Sequence, residues 1–251
     1  MRYEFIKFRE EDGVAVMELF PFDHMNQAAC LSEEISECCH KFRDNDENSV
    51  LVITEGVHGS FAMKSLSGYI ETEFSRSVSF AQSIATCERP VIIGIRGDAV
   101  GLGLEIALAC DVRIASEKSK FGLPQIRAGV MPWDGGTQRL SRTVGNAKAL
   151  EMVLTGELID AREANRIGLV SRIVPVEKVI TTVMELARDM ASKSAVSLEY
   201  CKEAIVKGMD LPLEQGLRLE ADLYFLMHTT HDRKEGIKAY QEKRKPKFKG
   251  N

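Results

Sequence analysis

The stretch of sequence that decides the fold is Val91-Ile92-Ile93-Gly94-Ile95-Arg96-Gly97-Asp98-Ala99-Val100-Gly101-Leu102-Gly103-Leu104-Glu105. It predicts an apolar strand that runs through a glycine-rich turn into a helix bearing a carboxylate. Glycines at a strand-to-helix junction let backbone N–H groups approach a ligand closely, and the helix N-terminus adds positive potential. Such a turn can stabilise an oxygen that acquires negative charge, as backbone donors do in an oxyanion hole.

Strand and helix patterns alternate on both sides of this stretch, which indicates parallel βαβ units. The predicted elements are a hairpin at 3–8 and 14–19, a helix at 31–42, a strand at 50–54, a helix at 74–86, a strand at 91–95, a helix at 101–109 and a strand at 111–115. From about residue 135 helical spacing dominates, and Gly208 and Pro212 are predicted to separate two of the helices. The sequence therefore predicts an α/β core at residues 1–195 and a helical C-terminal region at residues 196–251.

Composition is typical of a soluble enzyme. Of the 251 residues, 44% are apolar and 28% are charged, and the formal net charge is −4, which gives no drive toward nucleic acid or an anionic membrane. No apolar run approaches the roughly 20 residues of a membrane span, and the first residues lack a signal-peptide pattern, so we expect a cytoplasmic protein. The six cysteines lack metal-ligand spacing, and we expect reduced thiols and no metal.

Further motifs follow in a fixed order. They are Ala109-Cys110-Asp111-Val112-Arg113-Ile114-Ala115, Gly135-Gly136-Thr137-Gln138-Arg139-Leu140, Leu154-Thr155-Gly156-Glu157, Gly168-Leu169-Val170, and a tail from Asp232 to Phe248. With the helix start at Gly101, this series resembles the crotonase (enoyl-CoA hydratase/isomerase) superfamily over nearly the whole chain. The resemblance implies a spiral of ββα units whose helical C-terminal region builds a homotrimer or a dimer of trimers. It also implies an acyl-CoA substrate, with coenzyme A as part of the substrate and no other cofactor.

The resemblance assigns the oxyanion hole to two backbone N–H groups. One belongs to Leu102, between Gly101 and Gly103, where a glycine is more usual. The other belongs to Ser65, in a segment that departs from the family pattern because Lys64 replaces a glycine and Leu66 replaces an aspartate. Substrate-binding residues are expected in the same way at the adenine-binding segment, the acyl pocket and the basic tail: His24, Ala62, Met63, Gly101, Gly103, Trp133, Lys245 and Phe248.

The resemblance also places two glutamates around the water that a hydratase adds. Glu105 occupies the first position and Gln125 the second, where an amide can orient water but cannot give or take a proton at neutral pH. Asp134 is a candidate substitute for the missing acid. The competing interpretation of Asp134 is an N-cap on the helix through 137–140, and that of Glu105 is an acid favoured by the helix dipole.

These residues leave several functions open. The leading hypothesis is a lyase of the enoyl-CoA hydratase type that adds water to, or removes it from, an unsaturated acyl-CoA through an oxyanion-stabilised enolate. An isomerase that moves a proton with one carboxylate is the first alternative. A CoA-binding protein without turnover is the second, because Gln125 and the altered segment around Ser65 both weaken a standard hydratase site. A peptidase is disfavoured because no histidine lies between Gly59 and Leu140.

Overall fold

The structure, a computed structural model, describes residues 3–20, 27–56 and 79–250. Its strands are β1 (Ile6–Glu11), β2 (Val14–Leu19), β3 (Val50–Glu55), β4 (Val91–Ile95), β5 (Ala99–Val100), β6 (Val112–Ser116), β7 (Lys120–Gly122), β8 (Ile159–Asp160) and β9 (Arg172–Val174). Its α-helices are α1 (Ala28–Asp44), α2 (Ala81–Ala85), α3 (Leu102–Ala109), α4 (Gly136–Val144), α5 (Asn146–Thr155), α6 (Ala161–Arg166), α7 (Val179–Ala191), α8 (Ala195–Gly208), α9 (Leu213–Met227) and α10 (His231–Gln241). Two 3-10 helices cover Pro124–Ala128 and Val176–Lys178.

The larger sheet has the strand order β1-β2-β3-β4-β6-β9. Strands β1 and β2 form an antiparallel hairpin, and every other pair in this sheet is parallel. The hairpin turn places Asp12 at φ 52° and Gly13 at φ 76°, and this pair of positive φ angles matches the right-handed twist of the flanking strands. A smaller sheet with the order β5-β7-β8 lies beside the N-terminus of α3.

Helices cover both faces of the larger sheet, as a parallel sheet requires. Alternate residues of β2, β3, β4 and β6 pack against α7 through a cluster of aliphatic side chains: Val14, Val16, Val50, Val52, Ile92, Ile114, Val179 and Val183. At Gly94 a Cβ would lie 3.0 Å from Val183 Cγ2, so the glycine lets α7 approach closely. The opposite face packs against α1, α2 and α3, and this larger core surrounds the buried glutamate on α3.

The α/β architecture predicted from the sequence is confirmed. The strand at 91–95 is correct to the residue, whereas β1 starts three residues later than predicted and β6 one residue later. The helix predicted at 74–86 falls partly outside the described residues, and α2 covers 81–85. Sequence reasoning missed β5, β7, β8 and β9, because strands of two or three residues are too short to show an alternating pattern.

The region after residue 195 consists of α8, α9 and α10 and a C-terminal tail. The break between α8 and α9 falls at Gly208 and Pro212, as predicted from the sequence. The division of the chain at residue 195 into two regions stays a prediction. In the described ranges, no helix combines the length and the apolar character of a membrane span.

Candidate active site

The N-terminal turn of α3 is built on a glycine that no other residue replaces easily. Gly101 precedes the helix at φ 62° and ψ −123°, a conformation that L side chains rarely adopt. Its N–H donates to the carbonyl oxygen of Gly122 at 2.9 Å, which ties the helix start to β7. Every residue of α3 is buried, so the helix holds the side chain of Glu105 inside the protein.

Glu105 is fully buried and is held by backbone donors. Its Oε1 accepts hydrogen bonds from the N–H of Asp134 at 2.8 Å and the N–H of Gly136 at 2.9 Å. A Cβ on residue 136 would lie 2.8 Å from this oxygen and 2.9 Å from Pro132 Cβ, so only glycine permits the contact. Both donors are therefore fixed on one carboxylate oxygen, and Oε2 is left to face Gln125.

Burial raises the pKa of Glu105 from 4.5 to about 7, because an ionised carboxylate loses hydration inside the protein. The negative charge of Asp134 acts in the same direction. The hydrogen bonds from Gly136 and Asp134 and the positive charge of Arg139 oppose the shift. A carboxyl group with a pKa near 7 can both accept and donate a proton at neutral pH.

Gln125 lies in the 3-10 helix Pro124–Ala128 with its side chain fully buried. Its Nε2 donates to Glu105 Oε2 at 3.3 Å. Its Oε1 is buried and has no hydrogen-bond partner among residues 3–20, 27–56 and 79–250. Since a buried polar atom is normally paired, this carbonyl oxygen is an unused acceptor beside the glutamate.

Asp134 lies against the same glutamate but points its side chain elsewhere. Its Oδ1 accepts from the hydroxyl of Ser79, and its Oδ2 accepts from the N–H groups of Phe80 and Ala81, each at 2.9 Å. The predicted N-cap on the helix through 137–140 is wrong, because Gly135 occupies the N-cap of α4 without a side-chain bond. The carboxylate of Asp134 instead holds the start of α2, more than fifty residues earlier in the chain.

The remaining predicted residues divide into three groups. Leu102, Gly103 and Trp133 lie with Glu105: the first two open α3 and are buried, and Trp133 precedes Asp134 and packs edge-on against Phe80 at 6.3 Å. The Leu102 N–H has no partner in the described part of the chain, as expected for a first helical turn. Four residues lie outside the described residues: His24, Ala62, Met63 and Ser65.

Lys245 and Phe248 form the third group and lie on the C-terminal tail. Phe248 rests against α10, 3.6 Å from where a Cβ on Gly236 would lie, and Lys245 is exposed. The tail is tied to α10 because Asp232 accepts from the N–H groups of Lys249 and Gly250, at 2.7 and 3.0 Å. Within the described part of the chain, the hydrogen bonds of this tail go to Glu235 and Asp232 on α10 and not to Glu105.

Sequence reasoning missed the donors that hold Glu105. They are main-chain N–H groups, which no side-chain pattern reveals, although the pair Gly135-Gly136 marks a place where backbone approaches something closely. It also missed Arg139, whose Nη1 donates to the carbonyl oxygen of Asp134 at 2.8 Å and fixes the loop. In the described ranges, no cluster of His, Cys, Asp or Glu is arranged to hold a metal ion.

The geometry thus combines a buried carboxyl group that titrates near neutrality, an unpaired amide oxygen and an open helix N-terminus.

Solved structures that share this fold include enoyl-CoA hydratases, which have the crotonase fold. The chain matches an enoyl-CoA hydratase from Geobacillus kaustophilus HTA426 with a TM-score of 0.92 at 31% identity, covering 100% of this chain and 98% of that one. It matches the enoyl-CoA hydratase from Bacillus anthracis with a TM-score of 0.89 at 31% identity, covering 99% and 100%.

Sequence comparisons give the same result. The family model for enoyl-CoA hydratase/isomerase matches residues 9–251, and the chain belongs to this family. A probable enoyl-CoA hydratase of Rhizobium meliloti (strain 1021) is 35% identical over an alignment of 256 positions, which covers 99% of each chain. The crotonyl-CoA hydratase of Syntrophomonas wolfei is 34% identical over an alignment of 259 positions, which again covers 99% of each chain. These relatives support a hydratase-type function, which is that of a lyase.

Proposed function

We propose that the protein adds water across the double bond of a 2-enoyl thioester of coenzyme A, or removes it in the reverse direction. The observation that carries this proposal is Glu105, which is fully buried, holds two N–H groups on one oxygen and has a pKa raised to about 7. The carboxylate takes a proton from water while the water oxygen attacks C3. Activation of water in this way needs a base of this pKa and no metal.

The thioester oxygen becomes negative as the enolate forms, and the Leu102 N–H at the open end of α3 supports its stabilisation. Ser65 is the second proposed donor. Glu105 and the backbone supply all the chemistry required, so we propose no cofactor beyond the coenzyme A of the substrate. The cytoplasmic location and the absence of nucleic-acid and membrane partners stay predictions.

An isomerase is the second candidate, and Gln125 favours it. Moving a proton between two carbons needs one carboxyl group and no activated water, and Glu105 keeps one oxygen, Oε2, that has only the long contact with Gln125 in the described site. The two reactions share the enolate. They differ in whether water enters the product.

A panel of thioesters separates these functions. Purified protein is incubated with saturated, 2-enoyl, 3-enoyl, dienoyl and cyclic acyl-CoAs, and products are identified by mass spectrometry. We expect a mass gain of one water with at least one 2-enoyl substrate and none in a Glu105→Gln control. A product of unchanged mass identifies an isomerase. Calorimetric binding of acyl-CoA without any product identifies a binding protein.

We further propose that the chain forms a homotrimer or a dimer of trimers. Helices α8, α9 and α10 expose large apolar side chains, among them Ile205, Leu213, Phe225 and Tyr240, which are 68%, 80%, 72% and 87% exposed. A monomer rarely leaves so many apolar side chains in water on adjoining helices. In such an assembly, Lys245 and Phe248 are proposed to meet the coenzyme A of a neighbouring subunit.

Light scattering after size-exclusion chromatography tests the assembly. We expect a mass of three or six chains for the wild type and a smaller species for the double variant Leu213→Asp, Phe225→Asp. The matched control is Glu220→Ala, Asp222→Ala on the same helix, which changes charge without adding a carboxylate to the apolar surface. A monomeric wild-type protein would refute the proposal.

A further inference from the structure

We infer that this hydratase site works with one carboxylate, in which Gln125 holds the attacking water through Oε1 and Glu105 Oε2 carries its proton to C2. The inference rests on the proposed function and specifies how the reaction proceeds without a second acid. Three sets of contacts support it: those of Gln125, those of Glu105 and those of Asp134.

The orientation of the Gln125 amide follows from its neighbour. When Glu105 is ionised, only a donor can face Oε2, so Nε2 occupies that position at 3.3 Å. The carbonyl oxygen then points away from the glutamate. Because Oε1 is buried and unpaired in the described part of the chain, it can accept a hydrogen bond from a bound molecule. A water molecule offers two O–H donors, one for Gln125 Oε1 and one for Glu105 Oε2.

Glu105 has one oxygen for the reaction. Oε1 is occupied by the N–H groups of Asp134 and Gly136, and these bonds fix the carboxyl plane. Oε2 has Gln125 as its partner at the longer distance of 3.3 Å. The same atom must therefore receive the proton from water and deliver it to carbon.

Asp134 does not supply the second acid in this arrangement. Both of its oxygens accept hydrogen bonds from Ser79, Phe80 and Ala81, and its side chain is 5% exposed. Moving it toward substrate would leave the two N–H groups at the start of α2 without an acceptor. Its charge nevertheless faces Glu105, as does that of Arg139 on α4, and both affect the ionisation of the glutamate.

The steps balance without a further reactant. Glu105 Oε2 takes one proton from water as the water oxygen bonds to C3, and the C2=C3 electron pair moves to give an enolate on the thioester oxygen. The protonated Oε2 then gives its proton to C2, and the enolate electrons form the new C–H bond. The carboxylate is restored, and one water has been added across the double bond.

A one-carboxylate site has a distinctive pH profile. Only the ionised form of Glu105 starts the reaction, so kcat of the wild type should rise with pH through a single midpoint and stay level to about pH 10. A site that needs one ionised and one protonated carboxyl group instead gives a bell. A bell-shaped wild-type profile overturns the inference while leaving the hydratase function intact. Absence of hydration with every 2-enoyl thioester overturns both.

Two variants of Gln125 sharpen the test. Gln125→Met removes both the acceptor and the donor, so kcat should fall about 100-fold with little change in KM. The midpoint should move to higher pH, because the ionised glutamate loses a hydrogen bond. Gln125→Glu should acquire a falling alkaline limb, because two carboxylates this close must share a proton.

Gln138→Met is the control for the glutamine-to-methionine exchange, since Gln138 is exposed on α4 and its side chain bonds to Thr137 and Arg142 of the same helix. We expect wild-type kcat and midpoint for it. Thermal unfolding shows whether Gln125→Met is folded, and the profiles of the wild type and of Gln125→Glu decide the matter if it is not. Wild-type kcat and midpoint in folded Gln125→Met would mean that Gln125 takes no part.

Discussion

Two buried carboxylates lie side by side in this protein and are used differently. Glu105 at the start of α3 concentrates two backbone donors on one oxygen and leaves the other facing an amide. Asp134, whose own N–H is one of those donors, spreads its acceptors over both oxygens and holds the start of α2. Burial and backbone hydrogen bonds are common to both side chains. In the proposed mechanism, an oxygen without a backbone donor, rather than burial itself, distinguishes the reactive carboxylate of Glu105 from the structural one of Asp134.

The largest expected effect is on turnover. Glu105→Gln nearly preserves the shape of the side chain and removes its basic oxygen, so kcat should fall at least about 100-fold while acyl-CoA affinity is kept. Steady-state kinetics and calorimetry measure the two quantities. Unchanged turnover would place the base elsewhere and remove the contrast with Asp134.

The same substitution should change the pH dependence of stability. The pKa of Glu105 is raised from 4.5 to about 7 in the folded protein, so the folded state holds this proton more tightly than the unfolded state. The resulting stabilisation of the fold is complete below pH 4.5 and is lost as pH rises through 7. That loss amounts to about 3 kcal/mol, and Glu105→Gln does not undergo it. The difference in free energy of unfolding, variant minus wild type, should therefore increase by this amount from acid to alkaline pH. Urea unfolding at one protein concentration measures it, and parallel curves would contradict the burial argument.

Asp134→Asn should affect stability and spare chemistry. The single oxygen of an asparagine amide can still accept from the N–H groups of Phe80 and Ala81, but these bonds lose the carboxylate charge and an NH2 group replaces the acceptor of the Ser79 hydroxyl. This loss costs about 1–3 kcal/mol of unfolding free energy. We expect kcat within a few-fold of wild type in the folded protein. Ser79→Ala, which removes one of the three donors, should cost less. A folded Asp134→Asn enzyme without turnover would make this aspartate catalytic.

Asp232 extends the comparison to a third buried carboxylate with both oxygens engaged, here by the C-terminal tail. By the same reasoning Asp232→Asn should cost about 1 kcal/mol and leave kcat unchanged. This is the smallest effect of the series. Chemical denaturation and a single assay at saturating substrate are sufficient. A large loss of kcat would connect the tail to the chemical step.

The sequence predicted the elements whose pattern is local and repeated. The apolar run of β4, the glycine turn and the helix bearing Glu105 all follow from residues within one short stretch. The break between α8 and α9 follows in the same way from a second short stretch, which contains Gly208 and Pro212. The N-cap interpretation of Asp134 uses the nearest helix, whereas the carboxylate bonds to residues 53 to 55 positions away. Which distant N–H groups meet a side chain is decided by how the helices pack, and no periodicity encodes that.

Gly136 limits how this site can diverge. Any side chain there would enter the space of Glu105 Oε1, so no amino-acid substitution at residue 136 leaves Glu105 in its present position. Residue 125 is different, because glutamine and glutamate have nearly the same shape and their codons differ by a single nucleotide. Exchange at residue 125 on the 3-10 helix Pro124–Ala128 is therefore open to evolution, whereas exchange at Gly136, the first residue of α4, is not.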